Sequence, residues 1–177
     1  MKYKYIAGAV VANLYRLLRV FPNSDPIMGF VIPAAKNEKW WKAPLFAFAT
    51  MFVFDFFTSG IGVWTWITAG TYSVVALGAK YFLNHRKSSI ASFLSAGAIG
   101  VIVFDAITGP IMSTFIFNQP IIITTLGQVP FTVMHLVSAS FGILIVSPFY
   151  DTEIMNEMIA IKNSVKKIVL NRGIAIE

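Results

Sequence analysis

Five ionisable side chains stand within or at the ends of otherwise apolar stretches of this sequence: Arg16, Arg19, Asp55, Asp105 and His135. An ionised group at the centre of a bilayer-spanning helix costs roughly 2.5–3.5 kcal/mol on insertion scales, so each needs a partner or a ligand. Two chemistries suit the set. Arginines and aspartates can close structural ion pairs that lock helices together, or the same groups can line a polar, outward-facing pocket that holds a small molecule. A third, hydrolysis with Asp55 and Asp105 as acid and base, requires carboxylates that share a proton. Neither aspartate has the Gly-x-Gly setting expected of intramembrane diaspartyl hydrolases. The phosphate-binding Gly-x4-Gly-Lys-[Ser/Thr] loop, Gly-x-Ser-x-Gly and His-Glu-x-x-His are absent, so the sequence points away from an enzyme. With no cysteine and His85 far from His135 in the chain, no metal or cofactor set is expected.

A second group of residues has the chemistry of recognition. Trp64 and Trp66 follow the flexible Ser59-Gly60-Ile61-Gly62, and Asn23, Asn118, Gln119 and Gln128 lie in or near breaks between apolar runs. Aromatic faces mixed with amides suit a planar, heteroaromatic, hydrogen-bonding ligand. The tryptophans alone would equally serve as interfacial anchors. His135 is either a hydrogen-bonded packing residue or a ligand contact. Gly8 and Ala12 form a small-xxx-small face that permits close helix approach, within the protein or with a partner.

The elements that must position these groups follow from composition. The chain has 177 residues, 56% hydrophobic and 12% charged, against about a quarter charged in soluble domains. The expected fold is an all-α integral membrane protein. A first helix covers 5–20. A second starts after Phe21-Pro22-Asn23-Ser24-Asp25-Pro26, capped by Ser24 or Asp25 with Pro26 in its first turn, and runs to Trp40-Trp41 with a kink at Pro33. Residues 43–79 carry only Asp55 as a charge and read as a hairpin turning at Ser59-Gly60-Ile61-Gly62. Residues 88–150 carry only Asp105 and read as two helices separated by a long embedded or capping loop over 109–127, which puts His135 roughly 10 Å into the last helix. That makes six transmembrane helices in residues 1–150.

Charge placement orients them. Lys2, Lys4, Lys36, Lys39, Lys42, Lys80, Arg86, Lys87, Lys162, Lys166, Lys167 and Arg172, twelve of the fourteen basic residues, fall on one side, which makes both termini cytoplasmic. The net charge of +6 is thereby a matter of bilayer topology and not of nucleic-acid binding. Residues 151–177, with Ile154, Met158, Ile161, Val165 and Ile168 at helical spacing, read as an amphipathic helix on the cytoplasmic face of the cell membrane. One repeat is visible: Val53-Phe54-Asp55-Phe56-Phe57-Thr58 and Val103-Phe104-Asp105-Ala106-Ile107-Thr108 match at four of six positions, as parallel hairpin units would.

Three short segments in order, Phe21-Pro22-Asn23-Ser24-Asp25-Pro26, Gly62-Val63-Trp64-Thr65-Trp66 and Gly127-Gln128-Val129-Pro130-Phe131-Thr132-Val133-Met134-His135, resemble the substrate-binding S components of energy-coupling factor (ECF) transporters. The resemblance spans about residues 3–149. It implies a multi-pass vitamin or micronutrient capture subunit that works with a transmembrane coupling protein and two ATPase subunits. By position it implies ligand contacts at Asn23, Asp25, Trp64, Thr65, Trp66, Asn118, Gln119, Gln128 and His135, and a coupling face at Gly8 and Ala12. Thr132 stands where an acidic residue is expected in the nearest relatives, and Lys2 replaces the histidine that binds metal in the nickel and cobalt branch. The alternative is a membrane scaffold of the rod-shape-determining type, in which the polar residues pair internally and leave no pocket.

Overall fold

The computed structural model describes residues 2–18 and 26–171, with side chains for 5–18 and 26–169. All elements among them are helical: α1 (Lys2–Leu18), α2 (Ile27–Asn37), α3 (Lys42–Phe57), α4 (Val63–Asn84), α5 (Ile90–Ala106), α6 (Met112–Phe117), α7 (Ile121–Val146) and α8 (Thr152–Asn171), with a π-helical turn at Ile107–Ile111 and a 3-10 turn at Ser147–Phe149. Arg19, Asn23 and Asp25 lie outside the described residues, as does the expected cap at Ser24 or Asp25; Pro26 itself occupies the N-cap of α2.

The hairpin expected in 43–79 is present as α3 and α4, which pack along their lengths. Its turn depends on one glycine. The Asp55 carbonyl accepts hydrogen bonds from Thr58 N (3.2 Å) and Gly60 N (2.8 Å), which closes α3 only because Gly60 takes φ 77.

The long loop expected over 109–127 does not exist. Pro110 interrupts the backbone hydrogen-bond ladder, and the chain absorbs the defect in the π turn, so α5 and α6 run on as one span, Ile90–Phe117. The break comes at Asn118, in the left-handed region at φ 54, and Pro120 then starts α7. Gly127 and Pro130 lie within α7 and not before it. Ile90–Phe117 and Ile121–Phe149, of 28 and 29 residues, are each long and apolar enough to cross a bilayer, which takes about 20.

The centre of the bundle is α2. Ile27, Met28, Val31, Ile32 and Ala34 are fully buried, and the helix packs on α3, α4, α5 and α7. It stops at Asn37, short of the expected Trp41, and Trp40 and Trp41 are exposed. The stop is stabilised by crossed lysines. Lys80 Nζ donates to the carbonyls of Lys36 (3.1 Å) and Glu38 (3.0 Å) at the end of α2, and Lys36 Nζ donates to those of Leu83 (2.6 Å) and Arg86 (2.9 Å) at the end of α4. Each ammonium meets carbonyls that helix geometry leaves without intrahelical partners, at the negative end of the helix dipole.

The face assigned to coupling on α1 points inward. Gly8 is buried with its Cα against the Phe30 ring, where a Cβ would stand 2.9 Å from Cδ1, and Ala12 is fully buried. The small residues are used to seat α1 on α2, and the outer side of α1 presents Ile6, Val10, Leu14 and Leu17 instead.

The tail helix α8 is docked by its first turns. Asp151 Oδ2 accepts from Ser88 Oγ (2.7 Å), Glu157 Oε2 accepts from Ile90 N (2.8 Å) at the start of α5, and Ile154 is buried. Of the apolar stripe expected on this helix, Ile161, Val165 and Ile168 are exposed.

Candidate functional site

The register of two helices brings Asp105 and His135 level. Asp105 lies 13 residues before the break at Asn118 and His135 lies 14 after Ile121, so at 1.5 Å per residue both sit roughly 20 Å from the same turn. His135 is therefore twice as deep in its helix as the sequence suggests, because α7 begins at Ile121. Its Nδ1 stands 2.8 Å from Asp105 Oδ1, and the two residues are 1% and 2% exposed. With a carboxylate oxygen as the acceptor, His135 Nδ1–H donates to Asp105 Oδ1. Among the described residues, neither His135 Nε2 nor Asp105 Oδ2 has a hydrogen-bond partner.

Both residues belong to the wall of an open cavity of about 390 Å³ lined by α1, α3, α4, α5, the π turn and α7 together with Met112. Arg16 and Gln128 line it as well, with Thr68, Thr108, Gly109, Met51, Phe104 and Phe131. Gln128 fits because residue 109 is glycine: a Cβ there would collide with the Gln128 amide. The π turn, which carries Thr108 and Gly109, thus supplies both the widening and the bare backbone against which Gln128 lies. Arg16 reaches in from the last turn of α1, with its guanidinium 4.1 Å from the centre of the Phe54 ring and one nitrogen against Met51 Sδ.

The two aspartates of the repeat share one local bond and differ in use. Thr58 Oγ donates to the Phe54 carbonyl (2.7 Å) and Thr108 Oγ to the Phe104 carbonyl (2.9 Å), although α3 ends at Phe57 and the chain after Asp105 continues through the π turn. In each hairpin the partner comes from the second helix: Thr65 Oγ donates to Asp55 Oδ2 (2.7 Å), and His135 pairs with Asp105. Asp55 is 6% exposed and engaged with Thr65. The carboxylates hold separate partners and form no proton-sharing dyad.

Of the residues that the sequence groups into one ligand site, Gln128 and His135 come together, with Arg16 and Asp105 from the intramembrane charges. The other described members of that set do not join them. Thr65 is fully buried beneath its bond to Asp55. Trp66 is exposed and packs its ring against Phe52 (5.5 Å) and Phe48 (6.2 Å) on the outside of the α3 and α4 hairpin. Trp64 is exposed at the start of α4. Asn118 and Gln119 are exposed at the tip between α6 and α7, which the unbroken helix carries roughly 20 Å beyond Asp105. Thr68 and Thr108, each three residues beyond a residue singled out in the sequence, are the polar wall positions that helical spacing from Thr65 and Asp105 could have found. Among the described residues, no three histidine, aspartate or glutamate side chains gather as a metal set.

The chain matches no family model, no curated protein and no solved structure.

Proposed function

We propose that this chain is the substrate-capture subunit of an ECF-type uptake transporter, a six-span cell-membrane protein with both termini in the cytoplasm that binds a vitamin-like molecule. A transmembrane coupling protein and two ATPase subunits would act as its partners. The observation that carries the reading is the cavity at Asp105, His135, Gln128 and Arg16, a chamber with ionisable and amide residues in its wall inside a bundle whose outside is apolar. Ile122, Leu126, Val133, Phe141 and Ile145 face outward on α7 while Asp55, Asp105, Thr50, Thr65 and His135 are buried. That inversion of the soluble pattern suits a lipid surround. Trp40 and Trp41 precede α3 and Trp64 and Trp66 begin α4, so exposed tryptophans flank both ends of the hairpin, as interfacial belts require. The scaffold alternative expects internally paired polar groups and no chamber, and the cavity weighs against it.

Topology provides the first test. Reporter fusions after Lys87 and after Glu177 should both give cytoplasmic signals, and one inserted between Ser59 and Gly62 should give an external one. An external signal at Glu177 would mean an odd number of spans and would invert the cavity's orientation.

The second test uses cargo retained through purification, identified by mass spectrometry of the released small molecules. Gln128→Ala should weaken its binding about tenfold, the consequence of one lost buried hydrogen bond. Trp66→Ala should change it by no more than about twofold, since Trp66 packs on Phe48 and Phe52 away from the cavity. The reverse order would move the site to the outer aromatic cluster. No retained small molecule, and no saturable binding to a vitamin panel, would sink the capture reading.

A further inference from the structure

Resting on the membrane placement in that reading and not on its cargo, we infer that the outer half of α8 is a docking surface for anionic lipid headgroups. Ile161, Val165 and Ile168 settle on the membrane beside the bundle, and Lys162, Lys166 and Lys167 select a negatively charged surface. The helix docks by one side. Asp151 caps it by accepting from Glu153 N (3.0 Å) and also accepts from Ser88 Oγ, Ile154 is buried, and Glu157 accepts from Ile90 N at the start of α5. Met158 packs partly buried on the core. These contacts span two turns on one side of the helix, so α8 meets the end of the bundle side-on. That side continues past the bundle. Ile161, Val165 and Ile168 follow Ile154 and Met158 at helical spacing, and each is at least half exposed. The stripe is covered over its first two turns and bare beyond them, at the level where the span Ile90–Phe117 begins and a bilayer around it has its headgroups.

Charge decides what covers the bare part. The acids of α8, Glu153 and Glu157, stand in its docked turns, whereas residues 158–171 hold Lys162, Lys166 and Lys167 and no acid. By helical spacing Lys162 and Lys166 run along one edge of the stripe, and Lys167 lies on the polar face. An apolar stripe bordered by lysines suits a helix lying in a negatively charged interface, with the ammonium groups level with the phosphates and their aliphatic stems over apolar surface. Arg86 and Lys87, exposed in the turn just before Ser88, extend the positive charge to the docked start of the helix. A second copy of this tail would instead set lysine against lysine.

The chain has no cysteine, so Val165→Cys gives a single site for an environment-sensitive fluorophore. The full chain is reconstituted in phosphatidylcholine bilayers and in the same bilayers with about a third phosphatidylglycerol, each with and without spin-labelled quencher lipid. In the anionic bilayer the label should be shielded from water and quenched by the lipid. In the neutral bilayer it should stay in water. Lys162→Gln, Lys166→Gln and Lys167→Gln together should lower the ratio of lipid-bound to free label at least tenfold, since each lysine near such a surface contributes about fivefold, and raised salt should act on the parent in the same direction. All three lysines are exposed, so the substitutions leave the packed bundle intact. A label at Val133→Cys, on the exposed side of α7, is the reference, and lipid should quench it in both bilayers. With that reference quenched, equal quenching at residue 165 in the two bilayers, none in either, or none lost in the triple variant would overturn the anionic surface and leave the membrane placement standing. A reference label quenched in neither bilayer would remove the membrane placement, and the capture reading and the lipid surface would fall with it.

Discussion

Gly29→Val should leave little folded protein, and even Gly29→Ala should cost roughly 3 kcal/mol, at the upper end for an overpacked core. A Cβ at residue 29 would stand 2.7 Å from the carbonyl carbon, 2.8 Å from the Cα and 3.0 Å from the oxygen of Gly142. Those are backbone atoms of α7, so no side chain can turn aside to make room. The approach is mutual: a Cβ on Gly142 would stand 3.1 Å from Gly29 Cα. Helix α2 and helix α7 therefore touch backbone to backbone, which in a lipid surround is a main source of helix association. Any methyl at the crossing separates two helices that carry the core and, through α7, the register of His135. The measurement is folded yield and melting temperature in detergent. Gly70→Ala and Gly78→Ala in α4 are the controls, because a Cβ at either meets nothing within 4 Å. Both should be neutral or stabilising by about 0.5–1 kcal/mol, the gain from exchanging glycine for alanine in a helix. If Gly29→Ala melts with those controls, the close crossing is wrong.

The same glycines mark where sequence reasoning reached its limit. Gly8 and Ala12 are visible as a small-xxx-small pair because they lie in one helix, yet that pattern does not say what lies opposite, and Phe30 of α2 does. Gly29 and Gly142 lie in different helices, more than a hundred residues apart. Their complementarity exists only once α2 and α7 have crossed. Prolines misled for a related reason. Pro110, Pro120 and Pro130 at ten-residue intervals read as a broken loop, but only Pro120 ends up between helices, while a π turn absorbs Pro110 and α7 keeps Pro130 in its interior. A lipid-facing helix has strong reason to keep its remaining backbone hydrogen bonds, since nothing outside can replace them. What the sequence did determine was local. The hairpin at Ser59-Gly60-Ile61-Gly62 and the repeat around Asp55 and Asp105 rest on turn chemistry and hydropathy within a few residues. Partner choice was not local: an arginine–aspartate pair and a ligand pocket were both open from the sequence, and the structure sets His135 against Asp105.

That partner choice yields the second large expected effect, and it has an unusual sign. His135→Ala removes the only described hydrogen-bond partner of a carboxylate that is 2% exposed, and breaking a buried pair from one side typically costs about 3–5 kcal/mol. Asp105→Ala leaves the imidazole with an unmet N–H, a lesser loss of about 1–3 kcal/mol. Replacing both, as Asp105→Leu with His135→Phe, leaves no unmet polar group and restores the volume with apolar atoms. The double variant should therefore melt above His135→Ala and close to the parent, while ligand binding is lost in all three. A purely structural pair predicts the same order of melting, so binding decides between the readings: for such a pair, binding would follow folded yield and return in the double variant. Melting temperature and binding measured on the same four proteins separate these cases. If the double variant folds like the parent and binds nothing, the pair serves what enters the cavity and is not needed to hold the helices together.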